Sequence, residues 1–209
     1  MNFGPLTLAS LALSLAGCSS PTTGPAWDGG PAFKDGGGVA PPAALPAEVA
    51  LIWTVFPGNN AGTCALDDTF TIGNPEGAAA PTVQNGGSSL GFPIAVTCTV
   101  SPDAAGYSVS ADVAYGTAGT LRISGQIDVT PGSSPTVANG IQGVFYDHIR
   151  PEVTKTLTDT NCAMTFTSNP KMGIAAGRIW GDIDCSRATA PDGTVCAGRA
   201  ELLLLNCGK

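Results

Sequence analysis

Charged side chains are scarce in this chain of 209 residues, where Asp, Glu, Lys and Arg together make up 12%, against roughly 25% in a typical soluble domain. Nine residues are basic and form no run, and the net charge is −7. Phosphate binding depends on clustered Lys and Arg. We therefore expect no nucleic-acid partner.

The helix formers Glu, Lys and Gln are also few, and no stretch after residue 47 has a convincing helical period. Glycine (28 residues) and proline (17 residues) are abundant instead, together with Thr, Val and Ser. This composition favours strands and turns. The length allows one domain of ordinary size with appendages.

No apolar run is long enough for a helix that spans a bilayer, which needs about 20 residues. The longest early run, LTLASLALSLA at 6–16, carries no charge. It predicts the apolar core of a secretory signal.

The four residues that follow this core, Leu15-Ala16-Gly17-Cys18, resemble the lipobox of bacterial lipoproteins. The resemblance implies that residues 1–17 are a signal peptide and that Cys18 is acylated after cleavage, with palmitate among the expected chains. Ser19 in place of Asp implies transfer to the outer membrane of a Gram-negative bacterium. The one partner that the sequence predicts is then the membrane, through the lipid anchor.

Residues 18–47 contain the lipidated cysteine and a segment dominated by Pro, Gly and Ala without an apolar period. Such a composition cannot bury enough surface to offset its ordering entropy. We expect a flexible, disordered tether that leads to a domain at 48–209.

Six cysteines remain, an even number that predicts three disulfides in an exported domain: Cys64, Cys98, Cys162, Cys185, Cys196 and Cys207. The C-x-x-C pairs of zinc sites are absent, and no metal or cofactor is expected. Cys185 and Cys196 flank the connection between predicted strands at 174–185 and 198–207, which favours a bridge between them. The remaining expected pairs are Cys64–Cys98 and Cys162–Cys207, or Cys162 with Cys64 or Cys98 if strand 174–185 lies between its neighbours.

Alternation of apolar and polar residues is clearest at 107–129, where odd positions are mostly apolar in both halves. This period of two predicts a hairpin with one wet face, and a fold about residue 118 pairs Val113 with Ile123 and Val109 with Ile127. Further strands are expected at 50–56, 67–72, 92–100, 140–146 and 162–167. The fold class is all-β, an antiparallel sandwich or barrel with three disulfides.

The C-terminal part, with GRIWGDIDC at 177–185, Cys196 and Asn206-Cys207, is weakly similar to cysteine-containing lipoproteins of Gram-negative bacteria. This resemblance implies no particular activity.

Three groups of residues are candidates for a site. Gly87-Ser88-Ser89-Leu90-Gly91 matches G-x-S-x-G, but a nucleophile elbow needs a strand before the serine and a helix after it. His148, the only histidine, has carboxylates nearby. Trp180, Asp182 and Asp184 share one strand face, either as a solvated face with an Arg–Asp pair and a tryptophan under a loop, or as a binding platform.

These features favour a non-catalytic binding or structural module of the cell envelope. One alternative is an envelope hydrolase that uses Ser89, or a carboxylate pair with His148. Another alternative is a lipocalin-like carrier with an apolar cavity inside a closed barrel.

Overall fold

The structure is a computed structural model that describes residues 44–58, 64–76, 82–129, 137–147 and 155–208. The predicted signal peptide, Cys18, nearly all of the tether and His148 lie outside these residues.

The described residues form twelve strands and no helix, which confirms the all-β fold class. The strands are β1 (Glu48–Phe56), β2 (Asp68–Ile72), β3 (Val83–Gln84), β4 (Ser88–Ser89), β5 (Phe92–Pro102), β6 (Gly106–Tyr115), β7 (Gly119–Asp128), β8 (Val137–Asp147), β9 (Lys155–Thr165), β10 (Gly173–Ala175), β11 (Arg178–Thr189) and β12 (Val195–Leu205).

No helix among these residues could cross a bilayer.

The strands form one antiparallel sheet in the order β2-β1-β12-β11-β9-β8-β7-β6-β5-β4, with β3 beside β1 and β10 beside β11. The sheet curls into a nearly closed barrel, which decides between the two predicted architectures. Closure depends on the outer edge of β5, which lies next to no long strand. At one end of β5, the segment 83–89 bridges the gap, since β3 pairs with β1 and β4 pairs with β5.

At the other end of β5, the chain terminus completes the closure. Gly208 donates to the carbonyl of Cys98 and accepts from the amide of Val100, both at 2.9 Å. The Cys98–Cys207 disulfide lies beside these bonds. Gly177 adds a third contact by donating to the Val100 carbonyl at 2.8 Å. The outer edge of β5 is therefore bonded at both of its ends.

The interior is filled by the alternate apolar residues of the long strands. The largest fully buried side chains include Trp53, Phe70, Leu51, Ile94 and Leu121. Trp53 stacks on Phe70, with ring centroids 4.7 Å apart. Such dense packing of large side chains is typical of a small barrel.

The hairpin predicted at 107–129 is present as β6 and β7, and its odd residues face the core. The predicted register is wrong by two residues, because Val113 lies opposite Leu121 and Val109 opposite Gly125. The turn is tighter than expected and is centred on residue 117. A shift by two residues preserves the buried face, so the apolar pattern alone could not detect it.

The strand predicted at 174–185 is also wrong in part. It is a small hairpin, β10 and β11, that turns at Ala176 and Gly177, with φ of 77° at the glycine. Positive φ suits glycine, which has no Cβ.

The three expected disulfides are present, but their predicted pairing is wrong. The bridges are Cys64–Cys196, Cys98–Cys207 and Cys162–Cys185. The register between β9 and β11 places Asp184 opposite Ala163, and one further step brings Cys185 opposite Cys162. The β11–β12 hairpin continues past Cys185, which lies opposite Gly198, while Cys196 lies opposite Ala188, nearer the turn.

Two substitutions in the β6 hairpin test which face is buried. Val113 is 1% exposed, whereas Asp112 pairs with Arg122 on the outer face. We expect Val113→Asp to lower the free energy of unfolding by about 3 kcal/mol or more, since it buries an unpaired carboxylate. Asp112→Val should cost less than about 1 kcal/mol, as an exposed ion pair contributes little. Thermal melting followed by circular dichroism measures both, and equal melting temperatures would contradict the assignment.

Candidate functional site

A cleft opens in the barrel wall between β2 and the turns that join β4 to β5 and β6 to β7. We call it the seam cleft. Its volume is about 420 Å³, which lies within the range of roughly 300–1,000 Å³ that is typical of ligand pockets. Its lining residues are Thr69, Phe70, Thr71, Leu90, Phe92, Tyr115, Thr117 and Ala118.

Three aromatic rings line the cleft. Tyr115 lies between the other two, with its ring centroid 4.9 Å from that of Phe92 and 6.1 Å from that of Phe70. Phe70 and Tyr115 are buried, while Phe92 is 39% exposed. The rings therefore form an apolar surface that continues from the core to the solvent.

Leu90 stands at the rim of this cleft in an unusual backbone conformation. With Gly91 it forms the two-residue turn between β4 and β5, and φ is 49° at Leu90 and 86° at Gly91. Positive φ at both positions is typical of a type I′ turn, which strongly prefers Asn-Gly. A leucine is disfavoured there, and this one is 82% exposed.

The G-x-S-x-G match lies in this same hairpin. Ser89 is followed by a turn and the strand β5, so the strand–turn–helix context of a nucleophile elbow is absent. The Ser89 hydroxyl donates to the carbonyl of Thr71 at 3.4 Å. Ser89 thus links β4 to β2.

Of the three predicted residues on β11, Asp182 and Asp184 line a second groove of about 430 Å³ on the outer face of the barrel. Trp180 itself is 4% exposed and donates from Nε1 to Glu201 at 3.0 Å, so its ring offers no stacking platform. Asp184 forms an ion pair with Arg199 at 2.9 Å, and Asp182 accepts a hydrogen bond from Ser168. The expected Arg–Asp pair is therefore present, with an arginine from β12.

Glu201 lies directly opposite Asp182 in this outer groove. Burial raises the pKa of Glu201, and the nearby charges of Asp182 and Glu76 add to the shift, while the hydrogen bond from Trp180 opposes it. Like charges that face each other across two strands are destabilising. This face consequently bears an electrostatic cost at neutral pH.

A third cluster has ligand-type atoms but cannot bind a metal. It contains Asp159, Cys162 and Cys185, whose two sulfurs form a disulfide. The Asp159 carboxylate accepts hydrogen bonds from the amides of Asn161 and Arg187, at 2.9 and 3.0 Å. All three side chains thus have structural roles.

Searches of protein-family models, curated proteins and solved structures returned no match to this chain.

The sequence patterns did not single out the seam cleft. Phe92 begins the strand predicted at 92–100, and Tyr115 lies on the apolar face of the predicted hairpin. Leu90 was considered only as part of a serine motif. The signal that could have revealed it is a Leu-Gly pair in a position where a hairpin calls for Asn-Gly.

The raised pKa of Glu201 leads to a prediction about pH. A carboxyl whose pKa is higher in the folded state contributes stability below its unfolded pKa, and this contribution is lost as the pH rises through the folded pKa. Glu201→Gln keeps an acceptor for Trp180 without the charge. We expect it to raise the melting temperature at pH 7 by about 1–3 °C, and the gain should shrink toward about pH 4.

The matched control is Glu201→Leu, which removes the acceptor and leaves the buried Trp180 Nε1 without it. It should lower the melting temperature at both pH values, because an unsatisfied buried donor costs about 1–3 kcal/mol. Identical melting temperatures for wild type and Glu201→Gln across this pH range would refute the electrostatic cost.

Proposed function

We propose that this protein is a lipid-anchored binding module of the bacterial cell envelope, and that the seam cleft is its ligand site. The observation that carries the proposal is Leu90. A large apolar side chain is exposed beside an aromatic cleft, on a backbone conformation that disfavours it. Strain of this kind clusters at ligand sites, where function maintains it against the cost in stability.

The chemistry of the cleft suits binding better than catalysis. Its lining residues offer aromatic rings, aliphatic groups and the hydroxyls of threonine and tyrosine. No carboxylate, imidazole, thiol or amine is among them. A mostly apolar pocket with a few polar groups is the usual form of a binding site.

The location in the envelope is supported by two independent features. The lipobox resemblance at 15–18 implies a lipid at Cys18. Three disulfides in a single small domain are typical of proteins from oxidising compartments such as the periplasm. We infer an anchor in the outer membrane, with the tether at 18–47 separating the barrel from the lipid.

Replacement of Cys18 tests the anchor. Cys18→Ser should abolish labelling of the protein by radioactive palmitate and release it from the membrane fraction or leave it uncleaved. Ser19→Ala is the matched control, because it alters the next residue and keeps the lipobox. A processed Cys18→Ser protein that still sediments with membranes would overturn the anchoring proposal.

Replacement of Leu90 tests the cleft. We expect the whole chain in lipid nanodiscs to enhance the fluorescence of N-phenyl-1-naphthylamine above the signal from empty discs. Leu90→Asn should remove most of this enhancement and raise the melting temperature, because Asn-Gly is the preferred pair for the turn. Leu45→Ser alters another exposed leucine, at 70% exposure, outside the cleft, and should change neither. Enhancement that survives Leu90→Asn would contradict the assignment.

A further inference from the structure

The turn between β4 and β5 bears an exposed apolar surface. Among the residues that the structure describes, three large apolar side chains are exposed, and two of them, Leu90 and Phe92, stand at this turn. Both also line the seam cleft. The exposed surface and the cleft are therefore continuous, and an apolar ligand can enter the cleft past Leu90.

This surface is uncharged, although the protein as a whole is acidic. No charged residue occurs from 77 to 102, a range that contains β3, β4 and β5, or from 113 to 121, which contains the turn between β6 and β7. The lining residues of the cleft are uncharged as well. A carboxylate or phosphate inside the cleft would lose hydration without gaining an ionic partner. The part of the ligand that lies in the cleft is therefore uncharged.

The inner end of the cleft is closed by buried aromatic rings. Phe70 and Tyr115 line the cleft and are buried, and Trp53 stacks on Phe70, with ring centroids 4.7 Å apart. Large side chains fill the barrel behind these rings. An apolar ligand consequently occupies the seam itself, where an acyl chain can contact the rings along its length.

The predicted anchor brings lipid within reach of this surface. Trp53 lies opposite Phe70, at the level of the cleft, about 17 Å along β1 from Glu48, where the strand begins. The predicted tether at 18–47, as a flexible coil, spans about 30 Å. That reach is sufficient for the turn between β4 and β5 to touch the membrane that holds Cys18.

The small extent of the exposed apolar surface favours lipid over a protein partner. A specific protein interface buries about 800 Å² on each partner, which is far more than the side chains of Leu90 and Phe92 provide. Insertion of two apolar side chains into a lipid surface needs no such area when a covalent anchor already holds the protein there. The membrane is thus the source of ligand that this surface suits best.

From this juxtaposition we infer that the turn between β4 and β5 contacts the membrane and that the seam cleft takes up one acyl chain of a neutral membrane lipid, with Leu90 at the entrance and the rings of Phe70 and Tyr115 at the inner end. This inference rests on the proposed function and names the ligand class of the same site. N-phenyl-1-naphthylamine enters the cleft by exchange with the bound chain. A protein segment and a small apolar molecule are the competing occupants.

Brominated lipids test the inference through quenching of tryptophan fluorescence. In the whole lipidated chain, Trp27→Phe and Trp180→Phe leave Trp53 as the one tryptophan, next to the inner end of the cleft. The reporter protein is placed in vesicles of phosphatidylcholine that carries bromine in the middle of its acyl chains. We expect these vesicles to quench Trp53 relative to vesicles without bromine, because bromine quenches at short range.

Two variants of this reporter locate the bound chain. Leu90→Asn should remove most of the quenching, whereas Leu45→Ser, which alters an exposed leucine outside the cleft, should preserve it. The lipid at Cys18 holds both variants in the vesicles, so a difference between them does not reflect the anchor. Asparagine suits the turn better than leucine, and a melting temperature at or above that of the reporter excludes unfolding as the cause.

The charge of the lipid headgroup provides a second test. The net charge of −7 and the uncharged surface around the cleft disfavour contact with an anionic membrane. We expect replacement of half of the phosphatidylcholine by phosphatidylglycerol to lower the quenching at low ionic strength, and added salt to restore it. Equal or stronger quenching in the anionic vesicles would contradict a neutral lipid as the ligand.

The remaining outcomes distinguish this inference from the proposed function. Absence of quenching, or quenching that survives Leu90→Asn, would overturn the inference. If naphthylamine fluorescence still depends on Leu90 in that case, the proposed function stands, with a protein segment or a small apolar molecule as the occupant. Absence of naphthylamine enhancement that depends on Leu90 would overturn the proposed function itself.

Discussion

The architecture depends on how the outer edge of β5 is satisfied. A long strand with an unbonded outer edge would leave the sheet open and its apolar inner face exposed to water. Short pieces of chain prevent this: the 83–89 segment at one end, and Gly208 with the Cys98–Cys207 bridge at the other. The residues that make these contacts come from widely separated parts of the chain. In the chain-entropy view, a bridge across 109 residues restricts the unfolded state strongly.

This closure is incomplete next to β2, and the seam cleft lies there. The connectors bond β5 along its edge, and β1 is the one strand beside β2 among the residues that the structure describes. The gap is filled by side chains: Phe70, Tyr115 and Phe92 meet there in place of a backbone ladder. Aromatic packing excludes water without satisfying peptide groups. The apolar cleft therefore lies where the two ends of the described strand order approach each other.

The local choices around the cleft oppose stability. An asparagine in place of Leu90 would suit the turn between β4 and β5 better. In the outer groove, Asp182 lies opposite Glu201. Asp182 accepts a hydrogen bond from Ser168, and Glu201 accepts one from Trp180. These hydrogen bonds partly offset the repulsion between the two carboxylates. At Leu90 the side chain is left exposed at 82%, which is the physical basis for assigning function to the cleft.

Local sequence patterns determined the all-β class, the buried face of the β6 and β7 hairpin, and the presence of three disulfides, because these depend on alternation and on an even number of cysteines. The register of that hairpin was beyond their reach, since a shift by two residues leaves the same side chains inside. The disulfide partners were decided by tertiary structure: Cys185 meets Cys162 because β9 lies beside β11, and the register of β11 with β12 places Cys185 opposite Gly198 instead of Cys196. The seam cleft likewise depends on which of the described strands come together where the curled sheet closes. No single segment of the sequence determines how distant strands meet.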